Sequence, residues 1–366
     1  MALTSFRHII LYKDRQYNAF PNIVMNKEGT YVTAFRQAPD RQAYGGVQHI
    51  DPSSKAVYIT STDGENWNAE PGILYDDFFY GVQDPCLNVL ADGTLFATCF
   101  MWKVAERGDV RDDPDYKYSA YDNWLCKQAG AYSLRSADGG KTWDRPLPVG
   151  LGTLAIRGNA VELDDGSLLV PFYGESNERK DGISRAIVAR TIDRGRSWTE
   201  HAVIEPEEGY GLFEPNLYRT LSGKLFLFAR CHKRKPLPED GRTAYPLVTA
   251  ESRDGGLTWS EPIRRPFYSP SPFHPLRLHD GRVLLTYGYR HKPYGIRAVL
   301  LDAECERWTE AQETMIREDG HGGDIGYTCA VQLLDGRVLI TYYYSRDGER
   351  ERYIAGTICE LASLGG

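Results

Sequence analysis

Apolar positions along this chain come in short bursts and never settle into long helical stripes. Leu168-Leu169-Val170, Leu225-Phe226-Leu227-Phe228 and Val338-Leu339-Ile340 are typical. Runs this short, bounded by turn residues, read as buried β-strands. Each follows an acidic-Gly or Ser-Gly turn, and such turns recur along the whole chain: Glu28-Gly29, Asp92-Gly93, Asp165-Gly166, Ser222-Gly223, Asp280-Gly281 and Asp335-Gly336. Successive turn glycines lie 64, 73, 57, 58 and 55 residues apart. A strand-turn-strand unit at that period fits a four-stranded antiparallel blade with loops of variable length, so six turns predict six blades.

A second pattern is phased with the first. Ser136 to Trp143, Thr191 to Trp198 and Ser252 to Trp259 each spell S/T-x-D-x-G-x-S/T-W, the Asp-box. Its mechanics are local: Asp bonds turn amides, Gly supplies a positive φ, and Trp packs between strands. The box closes a hairpin and has no catalytic part. Degenerate copies run from Ser61 to Trp67, one residue short between Asp and Trp, and up to Trp308, where little beyond the Trp is retained. The expected fold is all-β, a six-bladed β-propeller of four-stranded antiparallel blades, with residues 1–366 as one domain. Closure needs a blade shared by the termini, and His8 to Tyr12 and Tyr353 to Ile358 are suitable strands.

Composition narrows the class. Among 366 residues there are 24 Tyr, 36 Gly and 20 Pro, which suits turn-rich strands. The net charge of -7 argues against nucleic-acid and anionic-membrane partners, which need a basic surface. Met1 to Arg7 lacks the pattern of a secretory signal, so a cytoplasmic location is expected, although a chain whose signal had been removed would look the same. Seven Cys without a C-x-x-C pair indicate buried thiols acting as small apolar residues, not a disulfide framework or a zinc site. No phosphate-cradling loop, dinucleotide fingerprint or H-E-x-x-H helix occurs, so the expected chemistry uses no cofactor and no metal is assigned.

In a propeller the innermost strands all start at one rim, so equivalent offsets before the turn glycines converge on the axis. Nine residues before them stand Phe20, Asp84, Arg157, Glu214, Pro272 and Tyr327. Two acids, a guanidinium and a phenol at equivalent strand starts mark a candidate site in the central pit.

Here the chain resembles the sialidase superfamily over nearly its full length. In that family a Glu at one strand start is followed about sixteen residues later by an Arg, as Glu214 is by Arg230, and a later Tyr before another Asp-Gly turn is the nucleophile, as in Gly326-Tyr327-Thr328. The resemblance implies Tyr327 as nucleophile, Glu214 as its base, and arginines that hold a substrate carboxylate: Arg230, with Arg290 or Arg297. A Tyr oxygen suits a substrate whose own carboxylate would repel a carboxylate nucleophile. It also implies an Asp acid on the first blade's mobile loop or its neighbour. Candidates are Asp40, Asp51 and Asp84, with His49 a further acid/base, Gln83 beside Asp84 a substrate contact, and Asp51-Pro52 open to a plain turn reading. The family's first arginine, in a Phe/Tyr-Arg-Ile-Pro motif, is missing: aligning prolines puts Ala19 in its place, so that arm must come from Arg15, Arg36, Arg41 or Arg157.

Three functions fit these residues. The first is an exo-acting, sialidase-like glycoside hydrolase removing a terminal acidic sugar from an oligosaccharide or glycoconjugate. A propeller enzyme for another glycan is the second, including a lyase with His49 or Tyr327 as base. The third is a sugar-binding propeller without turnover, since fold does not fix function. Three further stretches stand out: the basic Cys231 to Lys235, His321-Gly322-Gly323-Asp324 before Tyr327, and a Tyr-rich insertion from Tyr116 through Tyr118, Tyr121 and Asp122 to Trp124, open to a lid, a subunit contact or a surface loop.

Overall fold

The structure is a computed structural model that describes residues 3–41, 43, 49–121, 123–234, 241–346, 348–349 and 351–361. Lys235 and Asp122 of the stretches named above lie outside them. Each of the six predicted turns joins the two innermost strands of an antiparallel sheet. Blade 1 is β2 (Tyr17–Met25), β3 (Tyr31–Ala38), β4 (Lys55–Ser61) and β5 (Gly72–Tyr75). Blade 2 is β6 (Tyr80–Val89), β7 (Leu95–Glu106), β9 (Trp124–Ser136) and β10 (Leu147–Pro148), with β8 (Tyr118–Tyr121) added beside β9. Blade 3 has a broken inner strand, β11 (Gly152–Ile156) and β12 (Val161–Glu162), then β13 (Leu168–Ser176), β14 (Arg185–Thr191) and β15 (Thr199–Ile204).

Blade 4 is β16 (Tyr210–Arg219), β17 (Leu225–Lys233), β18 (Pro246–Ser252) and β19 (Ile263–Tyr268). Blade 5 is β20 (Phe273–Arg277), β21 (Val283–Tyr289), β22 (Gly295–Leu301) and β23 (Glu313–Arg317). Blade 6 takes β24 (Gly326–Gln332), β25 (Val338–Tyr344) and β26 (Tyr353–Leu361) from the C-terminal end and β1 (Leu3–Tyr12) from the N-terminal end. That pairing runs His8 against Thr357 and Ile9 against Gly356, so the ring is closed by the two strands expected to close it.

Burial follows position in the blade. All seven residues of β21 and of β25 are buried, because a second strand is covered on both faces by the adjoining blades. Outer strands such as β19 are mostly open. The apolar clusters form between blades, as where Leu74 and Val82 join Ala97 and Leu134. All seven cysteines are free and buried, as small apolar residues.

Asn side chains near the axis stitch the blades together. Asn22 accepts from Leu87 N at 3.0 Å, Asn88 from Ala160 N at 2.8 Å, and Asn216 from Asn159 N at 3.1 Å while donating to Phe273 O at 2.9 Å. In the Asp-boxes Asp193 accepts from Arg196 N and Ser197 N at 3.0 and 2.8 Å, and the indole of Trp198 donates to Gly195 O at 3.2 Å. The stretch ending at Trp308 corrects the expectation that little of the box survives there. Asp302 accepts from the amides of Glu304, Glu306 and Arg307, Cys305 takes the positive φ of 53°, and Trp308 donates to Cys305 O at 2.7 Å. The hairpin keeps its geometry after the motif letters have gone.

Candidate active site

Four of the six residues at the shared offset adopt a left-handed backbone that non-glycine residues seldom use: Phe20 at φ 58°, Asp84 at 48°, Glu214 at 49° and Tyr327 at 51°. At each, the register with the second strand slips, between Ala19 and Asn22, Gln83 and Cys86, Phe213 and Asn216, and Gly326 and Cys329. These are β-bulges, which bend a strand and re-aim a side chain. Three of the four precede proline (Pro21, Pro85, Pro215), which has no N–H to give the ladder. Such a backbone costs about 1–3 kcal/mol per residue and persists only where the surroundings impose it.

The bulges bring Tyr327 and Glu214 together from blades 6 and 4. The Tyr327 hydroxyl donates to Glu214 Oε1 in a short hydrogen bond, and Arg230 Nη1 donates to Glu214 Oε2 at 2.7 Å and reaches the Tyr327 hydroxyl at 3.5 Å. Burial opposes ionisation of Glu214, but Arg230, the Tyr327 hydroxyl and Arg290 outweigh it and hold the carboxyl below its ordinary value. Burial and the neighbouring Glu214 charge drive the Tyr327 phenol well above its ordinary value, so it rests neutral.

Arg290 enters from β21 where blades 5 and 6 nearly touch. A Cβ on Gly326 would meet Gly288 Cα at 2.6 Å, so neither position has room for a side chain. The Arg290 guanidinium lies over the Tyr327 ring at 5.0 Å and donates to Ile325 O, Pro270 O and the Tyr343 hydroxyl. Arg157 also sits by that ring, at 5.3 Å, but donates to Pro21 O and Tyr327 O, so it braces the backbone of two bulges. Arg297 lies apart, over the Tyr289 ring at 4.5 Å on the third strand of blade 5, and of the two alternatives only Arg290 reaches the cluster.

Arg36 stands opposite Ala19 in the blade 1 register, across the strand from the position left without an arginine. It is fully buried, near the Tyr17 and Phe20 rings, and none of its three guanidinium nitrogens has a hydrogen-bond partner among the described residues. Gln83 Oε1 and Asp84 Oδ1 are likewise buried without a partner. Burial, with some help from Glu214, raises Asp84 to about 8 against the pull of Arg157 and Arg36, so it is largely protonated at neutral pH.

Asp51 is buried and acts electrostatically on Arg36, and its carboxylate accepts from Arg41 Nε and from Ser53 N, both at 2.7 Å, the latter the turn chemistry foreseen for Asp51-Pro52. Asp40 and Arg15 are exposed. His49 packs edge-on against Phe20 with its Nδ1 4.0 Å from Asp324. Desolvation, with Arg36 and Arg290, lowers its pKa to about 4 against the pull of Asp324, so the ring is neutral near pH 7.

Several residues of the cluster were not assigned as site residues from the sequence. Asp324 accepts from the hydroxyls of Tyr17 and Tyr343 and from Arg352 Nε at 3.1 Å. Tyr173 is buried close enough for Glu214, Asp84 and Tyr327 to raise its phenol further after burial has done so. His232 accepts from Arg230 Nε at 2.5 Å. The position of His321 to Asp324 before Tyr327 suggests a part in shaping the pit, and the basic loop after Arg230 a contact with an anionic substrate, but the individual side chains Asp324 and His232 are singled out only by their contacts. Among the described residues no group of three or more His, Cys, Asp or Glu is placed to hold a metal.

Together the six blades and the Tyr-Glu-Arg cluster define a sialidase-like β-propeller. Residues 57–340 match the BNR repeat-like domain, and the chain belongs to that family. A protein of unknown function from Dyadobacter fermentans is 34% identical, with 97% of this chain and 99% of that one aligned at a TM-score of 0.85. The NanB sialidase from Streptococcus pneumoniae shares the fold at 13% identity (96% and 70% aligned, TM-score 0.67), as does an α-L-arabinanase from Penicillium chrysogenum at 14% (98% and 98%, TM-score 0.66). No curated protein matches the chain.

Proposed function

We propose that this chain is a retaining, exo-acting glycoside hydrolase that removes a terminal acidic sugar of the sialic acid type. The observation that carries this is the Tyr327 hydroxyl donating to the Glu214 carboxylate with Arg230 on both. Arg352 balances Asp324 and Glu214 offsets one of the four guanidiniums Arg36, Arg157, Arg230 and Arg290, which leaves a surplus of positive charge and favours an anionic ligand. Sialidases and arabinan-cleaving enzymes share this architecture, and the surplus favours the acidic sugar.

In the first step the Tyr327 oxygen bonds to the anomeric carbon and its proton passes to Glu214. The glycosidic C–O bond breaks, and the departing oxygen takes the proton of Asp84, the protonated carboxyl of the cluster. Water then cleaves the Tyr–sugar bond: its oxygen bonds to the anomeric carbon, one of its protons returns to Asp84, and Glu214 gives its proton back to the departing Tyr327 oxygen, releasing the sugar with its configuration kept. A substrate carboxylate beside Arg36 and Arg290 offsets the charge that holds Glu214 acidic, so binding itself makes Glu214 a better base.

The test is turnover of a methylumbelliferyl sialoside by the protein and its Tyr327→Phe variant, with uronosides, arabinosides and an ultraviolet assay for unsaturated products alongside. Cleavage lost in the variant supports the reading. Cleavage of another acidic sugar keeps the mechanism and changes the substrate. Unsaturated product alone overturns it in favour of elimination with the neutral His49 as base.

A further inference from the structure

Arg230 and His232 lie two residues apart on β17, so their side chains leave the strand on one face. Arg230 Nη1 donates to Glu214 Oε2 at 2.7 Å and reaches the Tyr327 hydroxyl at 3.5 Å, while Arg230 Nε donates to His232 Nε2 at 2.5 Å. A guanidinium is planar, so holding two of its nitrogens fixes the orientation of the whole group. The imidazole is itself held between two rings. Phe213, which directly precedes Glu214 and pairs with Arg230 across β16 and β17, lies at 5.2 Å, and Tyr245, from the segment before β18, lies edge-on at 5.0 Å and 75°. Phe213 thus ties the imidazole back to the strand that carries Glu214.

Accepting at Nε2 leaves the single ring proton of His232 on Nδ1. Burial first, then Arg230 and Arg290, lowers the imidazole to about 3 against the pull of Glu214, so it is uncharged near neutral pH. A carboxylate in its place would hold Nε as well but would draw on the charge with which Arg230 keeps Glu214 ionised. An uncharged acceptor supplies the orientation and leaves that charge to the catalytic pair.

We infer that His232 is a positioning residue, whose uncharged imidazole fixes the Arg230 guanidinium against Glu214 and Tyr327. Its effect on turnover rests on the hydrolase reading above; its hold on Arg230 rests on the geometry alone.

The experiment compares three variants. His232→Phe keeps a ring between Phe213 and Tyr245 but has no acceptor, His232→Gln offers an uncharged acceptor, and His232→Glu offers a charged one. Hydrogen exchange of the Arg230 Nε–H, followed by NMR on protein labelled with nitrogen-15 arginine, should quicken at least roughly tenfold in His232→Phe and stay slow in the other two. On the methylumbelliferyl sialoside, kcat/KM should fall roughly 10–100-fold in His232→Phe, stay within about threefold of the wild type in His232→Gln, and fall roughly tenfold in His232→Glu. Unchanged exchange in His232→Phe overturns the proposal, as do equal losses of kcat/KM in His232→Phe and His232→Gln, or full activity in His232→Glu. If the wild-type protein cleaves no glycoside, the hydrolase reading fails and the exchange rates alone decide whether His232 fixes Arg230.

Discussion

The two ends of the inner strands obey opposite rules. At the upper rim, Asp84, Glu214 and Tyr327 hold a left-handed backbone, and Arg36, Gln83 and Asp84 bury polar atoms without partners among the described residues. Two residues beyond Phe20 and Glu214 on their inner strands, Asn22 and Asn216 have their amides bonded to the next blade. Lower still, the Asp-boxes satisfy their turn amides from one carboxylate. Buried polar groups are normally paired, and unpaired atoms of Arg36, Gln83 and Asp84 gathered at one rim suit a ligand that supplies the partner, although unpaired atoms occur elsewhere too, as at Trp143 Nε1. The well-bonded lower ring is what allows the upper rim to remain strained, a common division between stability and function.

The sharpest way to break this contrast is Asp84→Asn. It should lower kcat/KM about 10²–10⁴-fold, as expected on removing a general acid. In the wild-type protein activity should decline above about pH 8 as Asp84 ionises and decline in acid as Glu214 is protonated. Stability should move the other way. An ordinary Asp releases its proton near pH 4, whereas folded Asp84 keeps its own to about 8. The folded state therefore holds the extra proton between these values and loses stability as pH rises through that window. The melting temperature gained by Asp84→Asn should grow from pH 4 to pH 8, measured by calorimetry.

Next in size is Arg36→Met. Removing a buried, unpaired guanidinium should raise the melting temperature of the free protein, while KM for an acidic glycoside rises roughly 10–100-fold. A drop in both stability and affinity would mean that Arg36 is structural. Lower down, on the inner strand of blade 4, the sign reverses: Asn216→Ala leaves the half-buried Asn159 amide and the buried Phe273 carbonyl unpaired, and should cost about 1–3 kcal/mol in denaturant unfolding. The smallest effect belongs to Asp193→Ala, about 1 kcal/mol for one exposed turn cap, with kcat/KM retained. A catalytic loss in either lower-end variant, beyond what its stability explains, would show that the two ends are coupled.

Much of this was legible beforehand because the signals are local. A turn glycine, an Asp that caps its own loop and a Trp a few residues on act within one hairpin, so blade number and ring closure could be read from letters and spacing. Counting back from the glycines found Asp84, Glu214 and Tyr327, since every inner strand begins at one rim, and the recurring X-Pro pairs at that offset were a sign of the bulges. The box ending at Trp308 was underestimated because amides, not side chains, form most of its contacts.

The choice between Arg290 and Arg297, and between Asp84 and Asp51, could not be made that way. Each pair carries the same chemistry on neighbouring segments, and what separates them is which strand of the blade faces the axis and which carboxylate Arg41 already holds. Arg36 opposite Ala19 and Asp324 beneath two tyrosines likewise depend on register and on contacts between blades far apart in the chain. The sequence by itself determined the repeat, because periodic turns and short apolar runs act at close range. Only the tertiary structure decided the charge and protonation of the pit, because these depend on distances and desolvation that arise once six separate strand starts are packed around one axis.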